Sequence, residues 1–213
     1  EMQRGQFKDM ESLLEEAIEK TSRGEEEWDR YYATSHATFR ILLSQIHLAT
    51  GDTEQALKML DLAEQELNST YSSRDNALRS ARKNSARQAL TPLVLAYRNQ
   101  IEGNHEIAEA NLRTAVNNRF HLGYNISLSE LQSKTGQNLL LQGRVTEAEY
   151  EIMEAWHSEY EILEYTPHKL FSANLALPTR QLAEIFLLQN RLEDAKYLSE
   201  IAVNMYEVDC VAA

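Results

Sequence analysis

The chemistry-bearing residues of this chain are sparse, and their spacing argues against catalysis. The 213-residue chain carries one cysteine, Cys210, and six histidines, His36, His47, His105, His121, His157 and His168. Cys210 with a remote histidine has the residue types of a thiol nucleophile, but a lone cysteine on a terminal helix reads more simply as a small packing residue. The histidines fall in different segments without zinc-ligand spacing. No HExxH, GxSxG, GxxxxGK[ST] or paired CxxC pattern occurs, so no enzymatic activity, cofactor or metal is expected. The acidic run 25–27 reads as charge in a first helical turn rather than a calcium site. Asn68 and Asn125 open N-x-[ST] matches of the kind that arise by chance. Arg79, Arg82, Lys83 and Arg87 share one helical face, with Arg74 just upstream. They offer a docking strip for an acidic peptide, a carboxylate or the chain's own acidic helices, against the alternative of a solvated face.

The elements that must position these residues repeat. A bend residue is followed after five positions by alanine, after four more by a larger residue, and after three more by a second alanine. The copies are Gly51, Ala56, Leu60, Ala63; Gly103, Ala108, Leu112, Ala115; Gly143, Ala148, Ile152, Ala155; and Asn190, Ala195, Ser199, Ala202, with Ser199 weakening the last. Gly and Asn tolerate the positive φ that ends a helix, and small residues let two helices cross closely. Asp52 with Gln55, and Thr146 with Glu149, read as caps of the following helices.

Composition agrees with an all-α chain. Seven Gly and three Pro leave few breaks, whereas a sandwich or barrel needs turn residues far more often. A net charge of −12 opposes attraction to nucleic acid and to anionic lipid. No run approaches the roughly 18 apolar residues of a membrane span. A single cysteine fits a reducing compartment, hence a cytoplasmic expectation.

These bends, alanines and spacings resemble the tetratricopeptide repeat, a helix-turn-helix unit of about 34 residues. Leu43, Leu95 and Leu182 each precede a bend residue by eight positions, and Ser44, Ala96, Gly136 and Ala183 precede one by seven, where the family places a small residue. The resemblance implies a right-handed α-α superhelix, a solenoid of about four to five hairpins forming one domain over 1–213, and expected to belong to a longer protein. The first alanines are 52, 40 and 47 residues apart, so the repeats are stretched. Pro92 lies 11 residues before Gly103 and Pro178 lies 12 before Asn190, which predicts kinked extensions upstream, the second opened by Thr166 and Pro167. Gly5 followed by Leu13, Leu14, Ala17 and Ile18 resembles the second helix of an earlier unit. Such stretched repeats are similar to those in the regulatory arms of bacterial signalling proteins.

Family geometry, carried by distance from each bend, implies a concave binding groove. It holds Thr38, Ile41, Gln45 and Leu48, then Leu90, Leu93, Tyr97 and Gln100. Glu130, Ser133, Gln137 and Leu140 follow, then Leu177, Arg180, Glu184 and Leu187. Ile41, Leu42 and Gln45 stand where the chaperone-binding subgroup has carboxylate-gripping lysines and asparagines, which disfavours that subgroup. The function implied is a noncatalytic scaffold that binds a protein or peptide, as the interaction arm of a larger signalling protein. The alternative is a sensor of a small molecule or signal peptide, of the maltose-regulator, quorum-sensor or CHAT-associated type; an enzyme fragment comes third.

Overall fold

Four reversals of the chain are closed in one way, by main-chain atoms. Gly51, Gly103, Gly143 and Asn190 have φ of 85°, 80°, 73° and 61°, the left-handed region in which a β-carbon is disfavoured. At each, the bend N–H donates to the carbonyl three residues back and the next N–H to the carbonyl five before it. The pairs are Gly51 to Leu48 and Asp52 to His47 (3.1 and 2.8 Å), and Gly103 to Gln100 and Asn104 to Asn99 (3.2 and 2.8 Å). Gly143 to Leu140 and Arg144 to Leu139 (2.9 and 3.0 Å), then Asn190 to Leu187 and Arg191 to Phe186 (3.0 and 2.8 Å), complete the set. This is the Schellman closure, which satisfies carbonyls that a helix end otherwise leaves open.

The computed structural model describes the backbone of residues 2–22, 29–68, 77–118, 127–165 and 170–211, and the side chains of 8–20, 36–68, 87–118, 127–161 and 175–205. All regular structure among these residues is helical. The helices are α1 (Met2–Ser22), α2 (Asp29–Ala49), α3 (Thr53–Asn68), α4 (Ala77–Ile101), α5 (His105–Asn117), α6 (Leu128–Leu141), α7 (Val145–Tyr165), α8 (Leu170–Leu188) and α9 (Leu192–Val211). The contacts fall into two compact units, 1–125 and 126–213.

In the first unit each helix packs on its successor, and α2 also meets α4. Ala56, Leu60, Ala63, Ala108, Leu112 and Ala115 are all fully buried, as the repeat pattern requires. Arg98 spans Asp61 and Glu64 of α3 at 2.7 and 2.8 Å, and Arg40 reaches Glu66 at 2.6 Å. Asp52 accepts from the Gln55 N–H at 3.0 Å, the predicted cap. Pro92 sits inside α4, so the stretch upstream of it continues the same helix, 77–101. Its ring has no N–H for the Gln88 carbonyl four residues back. The Asn118 amide, just past α5, donates to that carbonyl at 3.1 Å. The helix also continues through Gly5, which is therefore not a bend.

In the second unit α6 packs on α7, α7 on α8 and α8 on α9, with α6 also meeting α8. Leu139, Ala148, Ile152, Leu182 and Ile185 form its core, flanked by Leu140, Val145, Trp156, Phe186 and Leu198. Gly136 lies where α6 and α7 cross: a Cβ there would fall on Ile152 Cγ1 and 3.2 Å from the Ala148 carbonyl oxygen. Ala195 and Ala202 are buried, while Ser199 is exposed and turns its hydroxyl onto the Ala195 carbonyl at 2.8 Å. Pro178 again lies within a helix, α8. Thr166 and Pro167 lie outside the described residues.

The cap predicted at Thr146 does not form. Because α7 already begins at Val145, Thr146 is inside the first turn, and Glu149 instead accepts from Gln189 Nε2 at 2.6 Å and from Arg191 at 3.3 Å. The cap that sequence reading passed over is Ser127, whose hydroxyl accepts from the Glu130 N–H at 3.0 Å. Its S-x-x-E spacing is the same signal.

Candidate functional site: a groove in the first unit and a polar cluster in the second

The residues predicted to line a groove separate into packed and accessible members. In the first unit Ile41 is 1% exposed and Thr38, Leu90, Leu93 and Tyr97 are also buried, so these side chains build the core. Gln45 and Gln100 are half-buried, and Leu48 is exposed. Gln45 stands in an apolar groove of about 400 Å³ between α1 and α2, lined by Met10, Leu13, Leu14, Leu42 and Ile46 as well. Met10 and Leu13 are half or more exposed, and Leu42 rather less. The Gln45 Nε2 is buried there without a hydrogen-bond partner.

An unpaired amide N–H in an apolar setting is a costly arrangement, on the order of 1–3 kcal/mol. Chemically the groove offers apolar contact from both helices, with the Gln45 amide donor closed off in its wall. Such a site suits an apolar side chain, and its volume lies within the range of small-molecule sites. The sequence marked Gln45 and Leu42. It also placed Leu13 and Leu14 on a helix but not at a groove, because only packing shows which face of an amphipathic helix stays open.

The second unit places Glu130, Ser133, Lys134 and Gln137 on α6, Glu159 on α7, and Arg180, Gln181 and Glu184 on α8. Ser133 and Glu159 are buried, as is Gln181, whose Nε2 donates to the Ser133 carbonyl at 3.4 Å. The Ser133 hydroxyl, the Gln181 Oε1 and the Glu159 Oε2 have no partner. Burial, with Glu159 adding repulsion, holds the Glu130 carboxyl above the ordinary carboxylate range, and the Lys134 charge only partly offsets this. Burial likewise depresses the Lys134 ammonium, opposed by Glu130 and reinforced by Arg180. Gln137, Arg180 and Glu184 are exposed at the edge of this cluster, and Leu140 and Leu177 are half-buried. Leu187 is also exposed. Gln181 and Lys134, which the sequence did not single out, are as much part of the cluster as the residues it did. The cluster combines both charge signs, with its unpaired polar atoms buried and Gln137, Arg180 and Glu184 exposed.

Of the basic strip, Arg87 is exposed; the side chains of Arg79, Arg82 and Lys83 lie outside the described ones, on α4. His47 Nε2 stands 3.6 Å from Glu11 on α1. His121, His168, Cys210 and the acidic run 25–27 fall outside the described side chains. Among the described residues no group of three or more His, Cys, Asp and Glu is placed to hold a metal ion, and no helix is long and apolar enough to cross a membrane.

No family model and no curated protein matches the chain. Among solved structures it is similar to a Podosopora anserina protein named as a kinesin light chain with nearly identical TPR-like repeats, at 17% identity and a TM-score of 0.45, over 95% of this chain and 88% of that one.

Proposed function

We propose that the chain is a noncatalytic protein- or peptide-binding module serving the interaction arm of a larger signalling protein. The observation that carries this reading is the α1–α2 groove. Its apolar lining, Met10, Leu13, Leu14, Leu42 and Ile46, would receive an apolar side chain of a bound peptide. In the second unit Glu130, Gln137, Arg180 and Glu184 would contact the main chain of a bound segment, with Ser133 and Gln181 beneath. Arg79, Arg82, Lys83 and Arg87 would meet an acidic stretch of the partner.

The test is selection of binding peptides from a random displayed library, followed by titration against Leu13→Asp, Gln45→Ala and Arg180→Ala. The reading expects at least a tenfold loss of affinity in Leu13→Asp and a smaller loss in Gln45→Ala. Selected peptides that bind all three variants like the parent would refute the groove. The groove's volume favours a second reading, a sensor of a small molecule or signal peptide. That reading expects a metabolite panel to raise the melting temperature of the parent chain and not of Leu13→Asp.

A further inference from the structure

The outer face of α7 carries Tyr150, Met153, His157 and Tyr160, spaced three, four and three residues apart. This is the spacing of a helical seam, and on an isolated helix it defines one narrow stripe. All four residues are exposed, Tyr150 by 64% and Tyr160 by 48%, while Ala148, Ile152 and Ala155 on the opposite side are fully buried. A seam of this composition facing solvent is unusual for a helix whose packing needs are already met from its other side.

The His157–Tyr160 end of the stripe is also held in place. Trp156 stacks on Tyr160 with centroids 4.9 Å apart and planes 10° from parallel, and it meets His157 edge-on at 5.5 Å. Its own ring is fixed by the Nε1–H donated to Thr179 Oγ1 at 3.2 Å. Rings restrained before binding lose less side-chain freedom on docking, and aromatic anchors are the residues that most often dominate an interface.

Charge selects the occupant. Helix α7 contains neither lysine nor arginine, and of its seven glutamates Glu159 is buried and Glu147 pairs with Arg144, which leaves Glu154 and Glu161 as the charges that bear on the seam. Glu154 and Glu161 run along one flank of the seam by helical position, while Glu149 on the other flank is engaged by Gln189 and Arg191. We propose that this face docks an amphipathic helix of a partner protein, one that sets lysine or arginine beside an apolar stripe. The α7 of a second copy would bring like charges together, and an anionic membrane would be repelled for the same reason. The face is separate from the α1–α2 groove, so either can fail alone.

Two synthetic helical peptides with one leucine stripe, flanked in one by lysine and in the other by glutamate, serve as probes. Each is titrated by calorimetry into the parent chain and into Tyr150→Ser/Met153→Ser/Tyr160→Ser, whose helicity is checked by circular dichroism. Lys58→Ser, at an exposed position of α3, serves as the control. The expected result is binding of the lysine peptide alone, weakened at least tenfold by the triple variant and unchanged in Lys58→Ser. Raising salt from 0.05 to 0.5 M should weaken the parent's binding severalfold. Equal binding of both peptides, binding of neither, or a triple variant that binds like the parent would overturn the proposal. So would sedimentation showing a parent dimer that the triple variant loses, since the face would then belong to a second copy. If the triple variant loses helicity, the single change Tyr150→Ser is used instead, with at least a threefold loss expected and parent-like binding overturning the proposal.

Discussion

Replacing Gly136 by alanine sets two opposing effects against each other, and the structure decides between them. In the interior of α6, alanine is favoured over glycine by about 1 kcal/mol from backbone entropy alone. Against this, the added Cβ falls on Ile152 Cγ1 and lies 3.2 Å from the Ala148 carbonyl oxygen. Neither neighbour can give way cheaply. Ile152 is fully buried and β-branched, with one strongly preferred χ1 in a helix, and the other contact is backbone. Overpacking of a tight core costs about 1–3 kcal/mol, and a contact with no flexible end belongs at the upper part of that range. The expected net loss is therefore about 1–2 kcal/mol. Urea unfolding, followed by Trp156 fluorescence in a Trp28→Phe background, measures it. Ile152→Ala should cost less in the Gly136→Ala background than in the parent, because it removes the obstructing atoms. A Gly136→Ala chain stabilised by about 1 kcal/mol would show that helix propensity rules there and that the crossing is looser than described.

Three further outcomes follow from particular contacts. At the bends no atom lies near the missing β-carbon of Gly143, so Gly143→Ala should lose about 1 kcal/mol through its φ of 73° alone, while Asn190→Gly, at φ 61°, should leave thermal stability unchanged or slightly higher. Asn118→Ala should cost about 0.5–1 kcal/mol in chemical denaturation, and less in a Pro92→Ala background, where a restored N–H supplies the Gln88 carbonyl. Glu130 and Lys134 should couple by about 0.5–3 kcal/mol in a double-mutant cycle of Glu130→Gln and Lys134→Met. In the Lys134→Met background, Glu130→Gln should stabilise the chain at neutral pH. A carboxyl raised by burial favours the folded state below its unfolded value of 4.5 and loses that contribution as pH rises through its folded value. The gain should accordingly fade as the pH falls toward 4.5, which melting temperatures across pH 4–8 would reveal.

The parts of the fold governed by short-range chemistry were open to reading from sequence. Gly51, Gly103, Gly143 and Asn190 could be recognised because few residues accept a positive φ, and the alanines because close crossings exclude larger side chains. The resemblance to a tetratricopeptide array implied the hairpins that are present. Groove membership was less legible. Distance from a bend gives rotation about a helix axis, but burial depends on every neighbour, and α2 is packed by α1, α3 and α4 together. Ile41 and Thr38 thereby became core, and Tyr97 did so on α4, which meets α2, α3 and α5. The pairing of Asn118 with Gln88 spans 30 residues, beyond any local pattern. Pro92 was read as a joint because its lost hydrogen bond has no visible substitute in sequence.

The reversals at Gly51, Gly103, Gly143 and Asn190 are sealed by peptide groups, with side-chain identity constrained at little more than one position. A turn made this way is portable: copied elsewhere in a gene, it would redirect the chain regardless of what surface residues accompany it. The lengths between reversals are consequently free to drift, and the intervals of 52, 40 and 47 residues are the imprint of that freedom. Lineages that lengthen or trim these stretches could vary what the helices present to solvent while every hairpin keeps its hinge.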